Sequence, residues 1–230
     1  MGDKFLSRNL YKNYSKYCYP IVFFVIILIS TLMLSYNGLA EGVITNLSNP
    51  DANQIYDINY TFIGVQLLHL LTFILACVVP IIIALVMNTY EKSNKSTDKE
   101  LAANYNEILT SKLISGALFI VLPFLANALL YIVLIWANFF GTHQNEMITT
   151  LILTTIFGLA MSLLTFILLI IINMAFKNPV IDSLLTLAIA LLVMEIFYHF
   201  PISPVFLIVI IVFVWIALVY LGYSIGKKQK

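Results

Sequence analysis

The sequence predicts an all-α integral membrane protein with six transmembrane helices, an N-terminal interfacial helix and a short cytoplasmic helix between spans two and three. Three observations predict this fold. Hydrophobic residues make up 61% of the 230 residues, they are grouped into six long runs, and the basic residues occupy only alternate gaps between the runs. A soluble domain has about 45–50% hydrophobic residues and has too little interior to bury so much apolar surface.

Each apolar run is long enough to cross a bilayer, which takes about 20 helical residues. The runs cover 20–36, 61–88, 109–137, 147–175, 179–198 and 204–226. The second, third and fourth runs exceed the hydrocarbon thickness, so we expect them to tilt or to project into water. No gap between runs is long enough for a folded soluble domain, and residues 20–230 are therefore assigned to one transmembrane domain.

The 12 basic residues predict the orientation of the chain. They precede the first run, lie between the second and third runs or at the start of the third, follow the fourth, and follow the sixth. Because Lys and Arg are retained on the cytoplasmic side, both termini are expected in the cytoplasm. The ratio of 11 Lys to one Arg is common in AT-rich Gram-positive bacteria, which suggests a bacterial cell membrane.

Residues 1–19 are predicted to form a cytoplasmic amphipathic helix before the first span. Apolar and aromatic residues share one face, with Phe5, Leu10 and Tyr14 as its main members. Cations spaced by four residues share another face, with Arg8 and Lys12 as its main members. Such a helix lies in the membrane interface, with its cations near anionic lipid headgroups. The alternative is an ordinary basic tail, but the four-residue spacing favours the helix.

The gap between spans two and three contains a second predicted amphipathic helix. Thr97 and Glu100 have the spacing of a capping box, which marks a helix start. An apolar stripe at helical spacing follows at Leu101, Tyr105, Ile108 and Leu109. One interpretation is a cytoplasmic helix that contacts a partner, and the other is simply the first turns of a long third span.

Several motifs that carry chemistry are missing from the chain. It has no GxxxxGK[ST] phosphate loop, no HExxH, no paired-Cys zinc pattern and no GxSxG elbow. We therefore expect no enzyme activity, no metal site and no ATP bound by this chain. The net charge of +1 is segregated by membrane side, so nucleic-acid binding is not expected.

Polar residues within the spans are candidates for lining a pathway, because they usually face protein or a cavity. Gln66, His69, Asn127, Glu195 and His199 fall at similar depth near the outer side. The alternative, which the sequence favours, places Glu195 and His199 near headgroups and lets the others bond neighbouring helices. At the inner side, Lys177 and Asp182 flank Pro179. One interpretation is an ion pair between them, and the other, which the sequence favours, is a solvated turn.

Small residues and prolines predict where the spans pack closely. Gly158, Ser162 and Thr165 share one face of the fourth span, which we expect to pack against another helix. Pro80 and Pro123 interrupt the second and third spans, and the carbonyl groups that they leave free need partners on neighbouring helices.

This architecture resembles the type 2 (ABC-2) family of ATP-binding-cassette transporter permeases, in particular the permease subunits of bacteriocin immunity and small-peptide export in Gram-positive bacteria. Glu91 stands where the family often has a Glu at the inner end of span two. Lys112 stands where it often has a Lys opening span three. About six residues separate spans five and six, where many members carry re-entrant helices, so an external gate is not carried over.

The resemblance implies that residues 97–109 form a coupling helix docked on a separate ATPase subunit, which binds ATP and Mg²⁺, and that residues 3–17 form an elbow helix. A second permease subunit, a copy or a paralogue, would complete a pathway for hydrophobic or amphipathic peptides through the bilayer. Alternatives are a non-ABC membrane scaffold and a secondary transporter or immunity protein. A secondary transporter needs ionisable residues near the midplane, and the central thirds of the spans contain essentially none.

Overall fold

The computed structural model describes residues 12–32, 64–93, 105–137, 144–176, 178–199 and 204–228. These residues form helices and contain no strand. The helices are α1 (Lys12–Leu32), α2 (64–93), α3 (Tyr105–Trp136), α4 (Gln144–Phe176), α5 (Pro179–His199) and α6 (Pro204–Lys228). Each has a segment long and apolar enough to cross a membrane. The described residues are thus helical, as predicted, and their six apolar helices support a multi-pass membrane protein. Phe5, Arg8, Leu10, Thr97, Glu100 and Leu101 lie outside the described residues.

Helix α4 lies at the centre of the bundle. It packs against α2, α3, α5 and α6. In the most apolar segments of α2 and α4, 61% and 56% of the residues are buried, compared with 17% in α6. The peripheral helices instead expose large apolar side chains, which suits a surface that faces lipid acyl chains.

The contact between α2 and α4 is built around a proline and small residues. Residues Ile74–Val78 of α2 are π-helical, and the N–H of Val79 bonds the carbonyl of Ile74. With the same five-residue spacing, the Leu75 carbonyl would accept from the N–H of residue 80. Residue 80 is a proline and has no N–H, so the Leu75 carbonyl lacks a donor within its own helix. The Ser162 hydroxyl lies within donor distance of this carbonyl at 3.0 Å, and of the Gly158 carbonyl in its own helix at 2.9 Å. The predicted close packing of the small-residue face of span four is confirmed, as is the partner for a carbonyl freed near Pro80.

Helix α1 joins the bundle along a single stripe. Tyr14, Cys18, Val22, Val25 and Ile29 are buried and recur at helical spacing. Residues 12–19, predicted to belong to a separate interfacial helix, are continuous with the first span because Tyr14 and Cys18 extend the same buried stripe. The interfacial position of the N-terminal segment stays a prediction.

Candidate functional site

Polar side chains from five helices meet at one end of the bundle, where α1, α3 and α5 begin and α2 and α4 finish. We call this the polar end. The group, called here the polar cluster, consists of Tyr14, Asn88, Glu91, Lys112, Asn173 and Asp182. Buried polar groups need partners, so their arrangement constrains the helices that carry them.

Lys112 connects α3 to α2. Its ammonium group donates to Asn88 Oδ1 and to Glu91 Oε2, each at 2.7 Å, although the residue is only 5% exposed. The other oxygen of Glu91 accepts a hydrogen bond from the Tyr14 hydroxyl at 2.7 Å. Charge-assisted hydrogen bonds of this length are stronger than neutral ones. The pair therefore fastens the end of α2 to the start of α3, and Tyr14 adds α1.

Asp182 connects α5 to α4. The side chain of Asn173 donates to Asp182 Oδ2 at 2.5 Å, and Asp182 is fully buried. Asn178 begins the helix by accepting from the N–H of Val180 at 3.1 Å. A carboxylate in the first turn also interacts favourably with the helix dipole. The solvated turn that the sequence favoured is therefore wrong for Asp182; Lys177 lies outside the described residues.

A small cavity separates the two parts of the cluster. Asn88, Glu91, Lys112 and Asn173 contribute polar groups to its wall, and its volume is about 90 Å³. That is room for several water molecules, since one needs about 10–15 Å³ of such space. Asn88 Nδ2 and Asp182 Oδ1 are buried without a hydrogen-bond partner among the described residues. The cavity therefore has space for water beside Asn88, whereas Asp182 does not contribute to its wall.

The polar end extends to α6 through the first turns of α3. The hydroxyl groups of Thr110 and Tyr223 are 2.7 Å apart, within hydrogen-bond distance. Leu109, predicted on the partner-facing stripe, is buried against Gly222, and half-buried Ile108 lines the cavity. Both residues thus pack within the bundle, and their predicted contact with a partner stays a prediction. Tyr105 begins α3.

The residues predicted near the opposite end are not equivalent. Asn127 is buried, with its Oδ1 atom lacking a partner among the described residues. Gln66 and Glu195 are exposed on the bundle surface, and His69 is half-buried. His199 ends α5. A role of these residues in lining a pathway stays a prediction.

Sequence reasoning missed Asn88, Asn173 and Asp182 as parts of a joint site. The available signal was a polar residue near the end of each of several apolar runs. Spacing along the chain could not pair them, because Lys112 is 24 residues from Asn88 and Tyr14 is 77 residues from Glu91.

Comparisons of the chain with family models, with curated proteins and with solved structures found no match. The polar cluster is therefore interpreted from its own geometry. It holds buried charges at the helix ends, and it touches both helices that flank the connection 94–104.

Proposed function

We propose that the chain is the membrane permease subunit of an ATP-driven exporter of the ABC-2 type. A separate ATPase subunit would bind ATP and Mg²⁺, and a second permease subunit, a copy or a paralogue, would complete the pathway. Six apolar helices support the membrane location. The restriction of Lys and Arg to alternate gaps supports an orientation with both termini in the cytoplasm. The ratio of 11 Lys to one Arg supports a bacterial cell membrane.

The ion pair between Glu91 and Lys112 is the observation that carries this proposal. It joins the end of α2 to the start of α3. These two helices flank the segment that would contact the ATPase. A displacement of residues 97–109 would then move both helices together. Tyr14 would extend the movement to α1, and the contact of Thr110 with Tyr223 would extend it to α6. Such coupling requires elements that move as connected units.

The distribution of ionisable residues supports a lipophilic cargo. Glu91, Lys112, Asp182 and Glu195 all lie within a few residues of an end of an apolar run, and no Asp, Glu, Lys or Arg lies in the central part of any span. A hydrated ion would have few partners in such a pathway. A hydrophobic or amphipathic peptide that enters from the membrane fits better, in peptide secretion or in self-immunity against a bacteriocin.

Co-purification from the native membrane in mild detergent tests the association. We expect an ATPase subunit to accompany the wild-type chain. Tyr105→Asp places a charge on the predicted apolar stripe and should reduce the recovered ATPase about tenfold, the factor that corresponds to about 1.4 kcal/mol.

Asn106→Asp is the matched control, because it adds the same charge on a predicted polar face of the same segment. It should leave the recovered ATPase unchanged. An ATPase that is absent from the wild-type preparation, or that Tyr105→Asp retains in full, would refute the proposal.

A further inference from the structure

An apolar groove lies between α1 and α2 near the polar end. Its wall is formed by Tyr17 of α1 and by Leu85, Val86, Thr89 and Tyr90 of α2, and its volume is about 300 Å³. The rings of Tyr17 and Tyr90 are 5.7 Å apart between centroids. The hydroxyl of Thr89 donates to the carbonyl of Leu85 in its own helix, so this residue adds little polarity to the wall. The groove thus suits an apolar chain.

A cation of α1, Lys16, lies beside a wall residue of this groove. The ammonium of Lys16 is 5.8 Å from the centroid of the Tyr17 ring. Lys12 precedes it on α1 by one turn, about 6 Å along the helix axis. Both lysines are exposed, and neither forms a salt bridge within the described part of the chain. Glu91 follows Tyr90 but is turned into the polar cluster, where it is paired with Lys112.

We infer that the groove binds an acyl chain of an anionic phospholipid, whose phosphate lies beside Lys16 and Lys12. Cations next to the membrane surface attract anionic headgroups, and tyrosine rings suit the boundary between headgroups and acyl chains. A volume near 300 Å³ is at the lower end for ligand pockets, so it accommodates part of one chain rather than a whole lipid. A cationic amphipathic peptide would be repelled by the same two lysines.

Photocrosslinking tests this inference on the full-length chain purified in detergent. The probes are phosphatidylglycerol and phosphatidylcholine with identical acyl chains that carry a diazirine, and mass spectrometry locates the adducts. We expect phosphatidylglycerol to label residues 85–90 about 30-fold more than phosphatidylcholine, the ratio for two lysines that each contribute about 1 kcal/mol.

Two kinds of variant separate the headgroup from the acyl chain. Lys16→Gln should lower the ratio about fivefold, whereas Lys228→Gln, which removes a cation from the end of α6, should leave the ratio unchanged. Val86→Trp should fill the groove and reduce labelling by both lipids. If Val86→Trp does not fold, the labelling ratio of Lys16→Gln still tests the inference, because Lys16 is exposed and its replacement should not disturb folding.

Three results would overturn the inference. Equal labelling of residues 85–90 by both lipids would indicate ordinary membrane lipid around the helices. If phosphatidylglycerol is still labelled more strongly than phosphatidylcholine when Lys12 and Lys16 are both changed to Gln, these lysines do not bind the headgroup. Displacement of both lipids by a cationic amphipathic peptide would assign the groove to peptide instead.

Discussion

The polar cluster and the middle of the contact between α2 and α4 both fasten α2 to its neighbours, but they use different chemistry. At the polar end, the buried ammonium of Lys112 binds the carboxylate of Glu91. In the middle of the bundle, the groups are a backbone carbonyl, the hydroxyl of Ser162 and the bare backbone of Gly158. Charges thus occur at the helix ends, and neutral, closely packed groups occur between them.

The difference follows from depth in the membrane. A charge at the centre of a bilayer is strongly unfavourable, whereas one near a helix end can reach water or headgroups. Glu91 retains 23% of its side-chain exposure, and a cavity of about 90 Å³ adjoins it. The middle contact has no comparable freedom, because Ser162 is fully buried. We therefore expect the groups of the polar cluster to be more hydrated than the middle contact.

The largest expected effect comes from breaking the ion pair on one side. Lys112→Met replaces the lysine with an uncharged side chain of similar length, and so leaves Glu91 without its cation. Removing one partner of a buried pair destabilises a protein by about 3–5 kcal/mol. We expect about 3 kcal/mol here, since Glu91 is partly exposed. The free energy of unfolding, measured in mixed micelles by titration with a denaturing detergent, provides the test.

The double variant Glu91→Gln with Lys112→Met is the matched control. It carries neither charge, and it should recover most of the lost stability because neutral replacement of a buried pair is often well tolerated. If the double variant is no more stable than Lys112→Met alone, the ion pair is not the source of the loss. We expect the double variant to retain a bound ATPase but to lose transport, because α2 and α3 are no longer joined by charge.

The spans could be predicted because apolar length alone identifies a transmembrane helix. The boundaries differ where polar residues continue a helix: α2 extends to Ser93, beyond the run that ends at 88, and α3 begins at Tyr105, before the run that begins at 109. Burial of the small-residue face at Gly158 and Ser162 was also predictable, because only close helix packing exploits that spacing.

The pairing inside the polar cluster could not be predicted. Asp182 follows Asn178 and Pro179, residues typical of a solvated turn, yet α4 covers it and Asn173 donates to it. Tyr14 looked like one more aromatic residue on an interfacial face, although its hydroxyl bonds Glu91. In each case the partner is supplied by another helix, and local sequence patterns contain no information about which helices touch.

A smaller effect is expected when the middle contact is overfilled. A Cβ atom at Gly158 would lie 2.7 Å from the Phe124 ring and 2.8 Å from the Thr72 methyl group. Gly158→Ala should therefore lose about 1–3 kcal/mol of packing energy, partly offset by about 1 kcal/mol of helix propensity. The measurement is the same titration in mixed micelles.

Gly222→Ala is the control for this change. It gains the same helix propensity, but its Cβ would lie 3.3 Å from the end of the Leu109 side chain, which has room to adjust. Gly222→Ala should be as stable as wild type or more stable. Equal stability of the two alanine variants would show that the α2–α4 contact is not closely packed.

The smallest effect concerns one hydrogen bond, and it tests why Ser162 is needed. Ser162→Ala removes a hydroxyl whose single proton is shared between the Leu75 carbonyl and the Gly158 carbonyl of its own helix. It should destabilise the protein by about 0.6 kcal/mol, the average for side-chain hydrogen bonds between membrane helices. Pro80→Ala restores a backbone N–H that can serve the same carbonyl from within α2. Ser162→Ala should therefore destabilise the Pro80→Ala background less than the wild type. An identical loss in both backgrounds would mean that the proline does not create the demand that Ser162 satisfies, and that the hydroxyl stabilises the contact independently of the π-helical segment.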